Sequence, residues 1–244
     1  DDVCATAGAP LTIVGAAEVD AMNAQLAAWF DPPVPDESLL SAHYQRWNAA
    51  LALAAIERLR PDADRHAVLD AFRHAELLGR FWQVDAHTFA DIAHNTEKIA
   101  ALATELDQRF MDQARILILG MAGRRVPYDV FPTLAKTAKA IIVTGASFKG
   151  QNPNDVRREI AAIGLETPTL VVSEPRQALQ MAQSMRHGDD VIILTGSTYM
   201  IEQVLNPDPY LRHMSANFGW RMDEQTTARG TITLDLPHAP SVVR

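Results

Sequence analysis

The sequence is poor in cysteine, in aromatic residues and in positive charge. It has one cysteine, Cys4, among 244 residues, so no internal disulfide can form, and we expect a reducing compartment, the cytoplasm, rather than secretion. Aromatic residues make up 7% of the chain, and 22 lysines and arginines stand against 30 acidic residues, a formal net charge of -8. Binders of nucleic acid usually concentrate basic residues on one face. The charge therefore excludes nucleic acid as the expected partner.

Long apolar runs and two nucleotide-binding motifs are also missing. Runs such as Ile116–Met121 and Val191–Leu194 are far shorter than the roughly 20 residues that cross a bilayer, so we expect no contact with a membrane. Neither G-x-G-x-x-G nor G-x-x-x-x-G-K-[ST] occurs. The sequence therefore lacks the main motif that would identify a Rossmann dehydrogenase or a self-contained P-loop ATPase. The chain opens with Asp1 instead of methionine, and we expect it to be a processed or truncated piece of a longer protein.

Hydrophobic residues make up 48% of the chain, enough to bury the core of one large domain or two smaller ones. In the first third, Leu11–Ala16 is predicted to be a strand, followed by helix-forming sequence to Phe30. Three prolines within Asp31–Pro35 favour an extended linker. The pattern of Leu39–Arg60 predicts a long helix buried on two sides, and that of Arg65–Leu78 predicts another helix.

Strands and helices alternate through the remainder of the chain. Phe81–Val84 and His87–Ala90 are predicted to form a hairpin. The alternation after it is typical of an α/β fold with a doubly wound, mainly parallel sheet, and continuous apolar strands suit a sheet covered on both faces. We expect Arg115–Met121 and Val191–Thr195 to be central strands. The other predicted elements are strands Ala140–Thr144 and Thr169–Val172, and helices Lys98–Phe110, Tyr128–Ala138, Asp155–Ile163 and Pro175–Arg186.

Three predicted strands end in glycine and small polar residues: Gly120–Gly123, Thr144–Ser147 and Thr195–Thr198. Ligands of such sheets bind beyond the carboxyl ends of the strands, and glycine lets the backbone approach a ligand closely. Tight strand-to-helix turns need glycine whatever they bind. Residue types alone leave both interpretations open.

A fourth strand end, Asp91–Asn95, places a carboxylate, an imidazole and an amide just before a helix. His94 can donate a hydrogen bond or carry charge, Asp91 can orient a hydroxyl, cation or amine, and the helix N-terminus favours anions. This set suits phosphate or carboxylate handling. The alternative is that Asn95 caps the helix and Asp91 belongs to a turn.

Other polar residues are equally ambiguous. Arg80, after Gly79, is either functional or a solvated residue near helix carbonyls. Arg124 and Arg125 either reach a phosphate or lie on the surface. Gln45 and Asn48 share one helix face and are either buried hydrogen-bonding groups or the exposed start of the helix.

The order of these motifs resembles the C-terminal part of folylpolyglutamate synthase, or of the bifunctional dihydrofolate/folylpolyglutamate synthase, in the Mur ligase superfamily. The similarity runs from about Gly8 to about Leu205, and Gly8–Leu11 resembles a stretch late in the family's central domain. The matched residues are Gln45, Asn48, Ala49, Ala50, Leu51 and Ala52; Gly79 and Arg80; Asp91, Ala93, His94 and Asn95; and Gly196, Ser197 and Tyr199.

The resemblance implies three regions. Residues 1–78 would be the end of the central ATPase-type domain, with the linker and the long helix. Residues 79–218 would be the Rossmann-like C-terminal ligase domain, and residues 219–244 a C-terminal extension. The family's phosphate loop and most ligands of its magnesium ion lie in the N-terminal half, so this chain alone is expected to be inactive.

The resemblance also implies a reaction. ATP, with Mg2+, would phosphorylate the carboxylate of folate or dihydropteroate, and the amine of L-glutamate would attack the acyl phosphate to form an amide. Arg80 would meet the nucleotide phosphates, while Asp91 and His94 would face the phosphate and the incoming glutamate as catalytic residues. The implied residues for binding substrate and nucleotide are Asn95, Gly120, Ser197 and Tyr199.

The sequence departs from the family pattern at several positions. Leu78 and Thr96 replace prolines, and Tyr44 replaces a histidine. Arg124-Arg125 stands where the family has Lys-Asp. Two alternatives therefore stay open: another Mur-type ligase acting on a different carboxylate, and a non-catalytic nucleotide-binding relative. In the tail, Thr226–Leu236, apolar residues alternate with polar ones and predict a strand that extends a sheet edge or pairs with another copy.

Overall fold

The computed structural model describes residue 4 and residues 6–36, 38–75, 77–123 and 131–206. The chain divides between Leu77 and Leu78 into two compact units. Each unit has a hydrophobic core of its own. The assignment of residues 1–78 to the end of a central ATPase-type domain stays a prediction, and the strand predicted in the tail, Thr226–Leu236, lies outside the described residues.

The described part of the first unit is helical. Asp64 caps its last helix, because the Asp64 carboxylate accepts hydrogen bonds from the backbone N–H groups of His66 and Ala67. Helix α1 spans Ala16–Trp29, a 3-10 turn spans Leu39–Ser41, α2 spans His43–Leu59 and α3 spans Arg65–Arg73. The core consists of Val19, Met22, Leu26, Leu40, Ala49, Ala50, Leu53 and Leu69.

Two predictions for this unit are wrong. Leu11–Ala16 is not a strand: helix α1 begins at Ala16, and Leu11 and Ile13 are 50% and 72% exposed. A β-branched run needs a neighbouring strand to hydrogen-bond with, and the described residues of this unit provide none. Helix α2 is buried on one face only, since Leu51 is 58% exposed and Leu59 78% exposed.

The proline-rich segment Asp31–Pro35 is a connector inside the first unit, not a linker between the units. It joins α1 to the 3-10 turn, and the Pro32 carbonyl accepts a hydrogen bond from Arg73 Nη2 at 2.6 Å. Helix α3 ends at Arg73, five residues before the predicted end at Leu78.

The second unit is built on one six-stranded sheet. Its helices begin with caps, since the side chains of Asn95, Asn152 and Glu174 each accept a hydrogen bond from a backbone N–H of the first turn. The strands are β1 Trp82–Asp85, β2 Thr88–Asp91, β3 Arg115–Gly120, β4 Ala138–Thr144, β5 Thr169–Val171 and β6 Val191–Thr195. The helices are α4 Thr96–Arg109, α5 Phe131–Leu134, α6 Pro153–Ala162, α7 Pro175–Met185 and α8 Thr198–Leu205.

The strand order is β1-β2-β6-β3-β4-β5. β1 pairs antiparallel with β2, and the other neighbours are parallel. This confirms the predicted α/β class, the hairpin and the central positions of β3 and β6. The helix predicted over Tyr128–Ala138 is wrong at its end, because Ala138 already pairs with Arg115 as the first residue of β4.

Both faces of the sheet are covered at its centre, because every residue of β3 and β6 is buried and alternate residues of a strand point to opposite faces. On one face Ile116, Ile118, Ile192 and Leu194 pack with residues of α7 and α8. Phe81, Phe89 and Phe110 form a second, aromatic cluster, in which Phe89 and Phe110 have ring centroids 4.9 Å apart. No helix among the described residues is long and apolar enough to cross a membrane.

Candidate functional site

The predicted site residues of the second unit come from the carboxyl edge of the sheet. The parallel register sets Asp91 of β2 opposite Thr195 of β6, and Gly120 of β3 opposite Thr144 of β4. The chain leaves β6 into α8, which packs with α7, and right-handed connections place α4 on the other face. The direction of the connections therefore changes beside β6, which is where ligands of such sheets bind.

Arg80 lies in a short turn that is anchored on both sides. Gly79 has a φ of +71° and its carbonyl oxygen accepts a hydrogen bond from the Ile92 N–H at 2.7 Å. On the other side the Phe81 N–H donates to Asp91 Oδ2 at 2.8 Å. The Arg80 side chain is half-buried. The turn therefore holds a guanidinium cation beside the end of β2.

Asp91 holds this arrangement together. Its side chain is buried, with 4% exposure. One carboxylate oxygen accepts from the Phe81 N–H and the other from the Ala93 N–H, both at 2.8 Å. The carboxylate thus ties the Arg80 turn to the segment that carries His94. This is more than the turn role considered from the sequence, since Asp91 joins two segments ten residues apart.

His94 is exposed, and its Nδ1 lies 2.7 Å from the Ile92 carbonyl oxygen. The next residue, Asn95, caps α4, with its Oδ1 accepting from the Lys98 N–H at 3.0 Å. The capping interpretation of Asn95 is therefore correct. An exposed imidazole, a helix N-terminus and the Arg80 guanidinium at one end of β2 form a surface suited to anions.

The turn between β6 and α8 is packed tightly against β3. Gly196 has a φ of +98°, and a Cβ there would lie 2.3 Å from the Gly120 carbonyl oxygen. A Cβ on Gly120 would lie 2.7 Å from Cγ of Met200. Ser197 is buried, and its hydroxyl oxygen accepts from the Met200 N–H as the cap of α8. Glycine at both positions is thus explained by packing, and Ser197 by its cap.

The sequence prediction missed two residues near Tyr199. Phe148, which is 48% exposed, makes an edge contact with the half-buried Tyr199 ring, with the centroids 5.1 Å apart. Lys149 Nζ lies 5.0 Å from the Phe148 centroid and 5.8 Å from that of Tyr199. Their loop is fixed, because Ser147 donates two hydrogen bonds to Gln203 at 2.9 Å. The sequence feature that could have indicated these two residues is the predicted strand end Thr144–Ser147, because Phe148 and Lys149 follow it directly.

The remaining predicted residues lie elsewhere. In the first unit Asn48 Nδ2 donates to Gln45 Oε1 at 2.8 Å; Gln45 is buried and Asn48 exposed, so each alternative is correct for one residue. Arg124 and Arg125 lie outside the described residues.

A carboxylate paired with a lysine lies away from the candidate site. At the opposite, amino edge of the sheet, Lys139 holds the pKa of Asp190 below its usual range through a hydrogen bond. No group of three metal-ligating side chains occurs in the described ranges. The carboxyl edge offers a guanidinium, an imidazole and a helix N-terminus, which are groups suited to phosphates and carboxylates.

Comparison with known proteins agrees with this architecture. Residues 79–198 match the family described as Mur ligase, glutamate ligase domain. The dihydrofolate synthase/folylpolyglutamate synthase of Bacillus subtilis is 28% identical over 174 residues, which cover 68% of this chain and 39% of that protein. The UDP-N-acetylmuramoyl-L-alanyl-D-glutamate--2,6-diaminopimelate ligase of Caldanaerobacter subterraneus is 28% identical over 148 residues, or 57% of this chain and 30% of that ligase.

Among solved structures, the Mycobacterium tuberculosis folylpolyglutamate synthase complexed with ADP and AMPPCP superposes with a TM-score of 0.61 at 22% identity, over 66% of this chain and 39% of that one. The chain thus spans well under half the length of these relatives. The region from Gly79 to Thr198 is therefore identified as a Mur ligase, glutamate ligase domain, and the chain is similar to the C-terminal part of the folylpolyglutamate and dihydrofolate synthases.

Proposed function

We propose that this chain is the C-terminal part of an ATP-dependent ligase that joins L-glutamate to folate or dihydropteroate through an amide bond. The observation that carries the proposal is the anchored pair of Arg80 and His94, which the buried Asp91 carboxylate connects at the end of β2 in a Mur ligase domain. A cation and an imidazole at one sheet edge suit a reaction in which charge develops on phosphate and carboxylate oxygens.

ATP supplies the phosphoryl group that activates the substrate carboxylate as an acyl phosphate. In this proposal the Arg80 guanidinium binds phosphate oxygens, since its planar donors match that geometry. His94 faces the incoming glutamate, and Asp91 positions both residues through backbone N–H groups. Catalysis of this kind comes mainly from positioning and electrostatics.

The proposal assigns the phosphate loop and most magnesium ligands to polypeptide outside this sequence. The sequence contains no G-x-x-x-x-G-K-[ST], and its described residues contain no cluster of three metal ligands. This chain by itself is therefore expected neither to hydrolyse ATP nor to form an amide. In this proposal four further residues shape the edge of the site: Asn95, Gly120, Ser197 and Tyr199. Asn95 and Ser197 cap helices, whereas Tyr199 does not.

The test is glutamate-dependent ADP release by the complete gene product, supplied with folate or dihydropteroate. Arg80→Ala and His94→Ala should each lower turnover by about 100-fold or more, the usual scale for loss of a transition-state stabiliser. Arg158→Ala is the matched control, because Arg158 is an exposed arginine on α6, paired only with Asp155. Near-normal turnover in both site variants would contradict the proposal.

A second candidate is favoured by the match to the diaminopimelate ligase, which shares the same domain. A Mur-type ligase acting on another carboxylate would use Arg80 and His94 in the same way. ADP release with a muramoyl peptide and diaminopimelate, and none with any folate, would identify this alternative. Nucleotide binding without turnover on any acceptor would instead support a non-catalytic relative.

A further inference from the structure

We propose that the turn of Phe148 and Lys149 binds a carboxylate of the glutamyl chain that an acceptor already carries, and so distinguishes glutamylated folates from dihydropteroate. This assignment rests on the proposed ligase function and names a further part of its substrate. Phe148 and Lys149 lie in the turn after β4, beside the ring of Tyr199.

The cluster of Phe148, Lys149 and Tyr199 carries a net positive charge. Lys149 Nζ lies 5.0 Å from the centroid of the Phe148 ring and 5.8 Å from that of Tyr199. Aromatic faces attract an ammonium but bring no negative charge, so they orient the cation without neutralising it. Phe148 is 48% exposed and offers apolar surface beside the cation. A cation next to an exposed ring suits a group that joins methylenes to a carboxylate, which is the chemistry of a glutamyl residue.

Lys149 adopts a backbone conformation that favours glycine. Its φ is +54°, in the left-handed region that L-residues occupy at a cost in free energy. Its carbonyl accepts a hydrogen bond from the Gly123 N–H at 3.3 Å. A Cβ on the next residue, Gly150, would lie 2.2 Å from the Ala146 carbonyl oxygen. The surrounding backbone therefore imposes the conformation, and a lysine where glycine would be less strained indicates that the side chain is used.

The turn is held in place from two directions. Ser147 donates two hydrogen bonds of 2.9 Å to the Gln203 side chain of α8. The Gln151 N–H donates to the Met121 carbonyl at 2.8 Å, which ties the turn to the loop after β3. A ligand that binds here does not have to order the turn first, and this reduces the free-energy cost of binding.

The turn lies well away from the groups assigned to the reaction. Arg80 and His94 are at the end of β2, and β6 and β3 separate that strand from β4. Three strand spacings amount to about 14 Å. One amino acid held by its amine at β2 covers only part of this distance, whereas a glutamyl chain carries a carboxylate on every residue, at least about 3.5 Å apart when extended. The cation is therefore suited to a glutamyl residue that precedes the reacting one.

The two proposed acceptors differ in the groups that this cation can bind. The single carboxylate of dihydropteroate is the one that reacts, whereas folate carries a glutamyl residue and pteroyltriglutamate carries three. Lys149 should therefore stabilise binding of glutamylated acceptors and leave dihydropteroate unaffected. Its effect should be larger for pteroyltriglutamate than for folate, because the longer chain spans more of the distance between β2 and β4.

The test compares acceptors in the complete gene product, supplied with saturating ATP and glutamate. Lys149→Met removes the charge and keeps an unbranched side chain. We expect the ratio of kcat/KM for pteroyltriglutamate to kcat/KM for dihydropteroate to fall about 10-fold, through KM, the scale of one hydrogen bond to a charged group. Lys149→Arg should keep most of the ratio. Lys136→Met is the matched control, since Lys136 is exposed and precedes β4, at the opposite edge of the sheet.

Lys149→Gly separates binding from a structural role. Glycine relieves the strain of the turn and also adds freedom to the unfolded chain, so the two effects offset each other. The urea midpoint should change little, while the acceptor ratio falls as in Lys149→Met. A clear loss of stability with equal losses on every acceptor would overturn the assignment, because Lys149 would then act through the fold.

An unchanged acceptor ratio in Lys149→Met would also overturn it. A raised KM for glutamate in place of the altered ratio would assign Lys149 to the incoming amino acid instead. An unmutated protein that ligates glutamate to none of these acceptors overturns the proposed function, and the carboxylate site is then decided by binding alone.

Binding can be measured on this chain without turnover, because the whole turn lies in the second unit. Proton–nitrogen correlation spectra of the isotope-labelled 244-residue chain should show shifts at Gly150 and Tyr199 on titration with free triglutamate at millimolar concentration. Free glutamate should shift them less, and Lys149→Met should abolish the shifts. Spectra that stay unchanged with triglutamate would contradict the carboxylate site whatever the activity assays give.

Discussion

Gly196 links strand β6 to helix α8 in a left-handed backbone conformation that L-residues adopt with difficulty. Its φ is +98°, and a Cβ would lie 2.3 Å from the Gly120 carbonyl oxygen. Gly164, at the end of α6, has a φ of +76° but open space around the position of a Cβ. The pair therefore separates the conformational effect of glycine from its effect on packing.

We expect Gly164→Ala to lower the free energy of unfolding by about 1 kcal/mol, the scale of the conformational effect alone. Gly196→Ala should lower it by about 3 kcal/mol, because a backbone clash is added. Urea unfolding of both variants measures the difference. Equal effects would mean that the turn relaxes and that the close approach to β3 is not required.

Asp190 makes stability depend on pH. The Lys139 ammonium holds the pKa of Asp190 below its usual range, with burial acting in the opposite direction. A carboxyl whose pKa is lower in the folded state contributes stability above its unfolded value, near pH 4, and this contribution is lost as the pH falls through the folded value. Asp190→Asn should thus lower the free energy of unfolding by roughly 1 kcal/mol at pH 7.

The difference between Asp190→Asn and the unmutated chain should become smaller as the pH falls below about 4, and it should disappear once the carboxyl is protonated in both states. Asp155→Asn is the control, since the Asp155–Arg158 pair is exposed and should contribute little. Urea unfolding at pH 7 and pH 3 provides the measurement. A difference that persists at low pH would assign the effect to packing instead of charge.

At the scale of single residues, the sequence predicted which residue types belong to the candidate site better than it predicted the contacts they make. Arg80 and His94 follow from short motifs, because their chemistry is local. The role of Asp91 was not predictable, since it depends on a hydrogen bond from the Phe81 N–H, which lies ten residues away, just before β1. Ser197 was interpreted as a binding residue, but its hydroxyl caps α8. A serine in a strand-to-helix turn satisfies either interpretation until the helix start is known.

At the scale of elements, α4 begins at the candidate site, and Asn95 is its cap. Asn95→Ala removes the acceptor for the Lys98 N–H and should lower the free energy of unfolding by about 1 kcal/mol. Asn95→Asp keeps the acceptor and adds a negative charge at a helix N-terminus, so we expect a change within about 0.5 kcal/mol. Thermal unfolding of the two variants compares them. Equal destabilisation would contradict the capping role.

The strands were easier to predict than the helices. β3 and β6 are continuous apolar runs in the middle of a covered sheet, which the sequence indicates directly. Leu11–Ala16 has a similar composition but no strand beside it among the described residues. Composition reports what a segment can bury, whereas a strand exists only where a partner strand lies alongside. The same limit applies to α2, whose apolar pattern does not reveal that one face stays exposed.

At the scale of the whole molecule, the two units have separate cores. Leu69 is fully buried in the first core, while Leu59 on α2 is 78% exposed. Leu69→Ala should destabilise the first unit by about 2–5 kcal/mol, and Leu59→Ala should have little effect. Hydrogen exchange should then accelerate at Met22 and Leu53 and remain slow at Ile118. Faster exchange at Ile118 in Leu69→Ala would show that the two cores unfold together.

The order of the strands has a consequence for synthesis on the ribosome. Among the described strands of the sheet β6 is the last to be made, yet it lies between β2 and β3. From Asp91 to Val191 about one hundred residues are added, which takes roughly 5–20 s at 5–20 residues per second. During this interval β2 lacks its parallel neighbour and β3 lacks one of its two. Apolar strands with unpaired edges associate with other chains. The growing polypeptide therefore exposes these strand edges until β6 has been made, and this interval is when aggregation is most favoured.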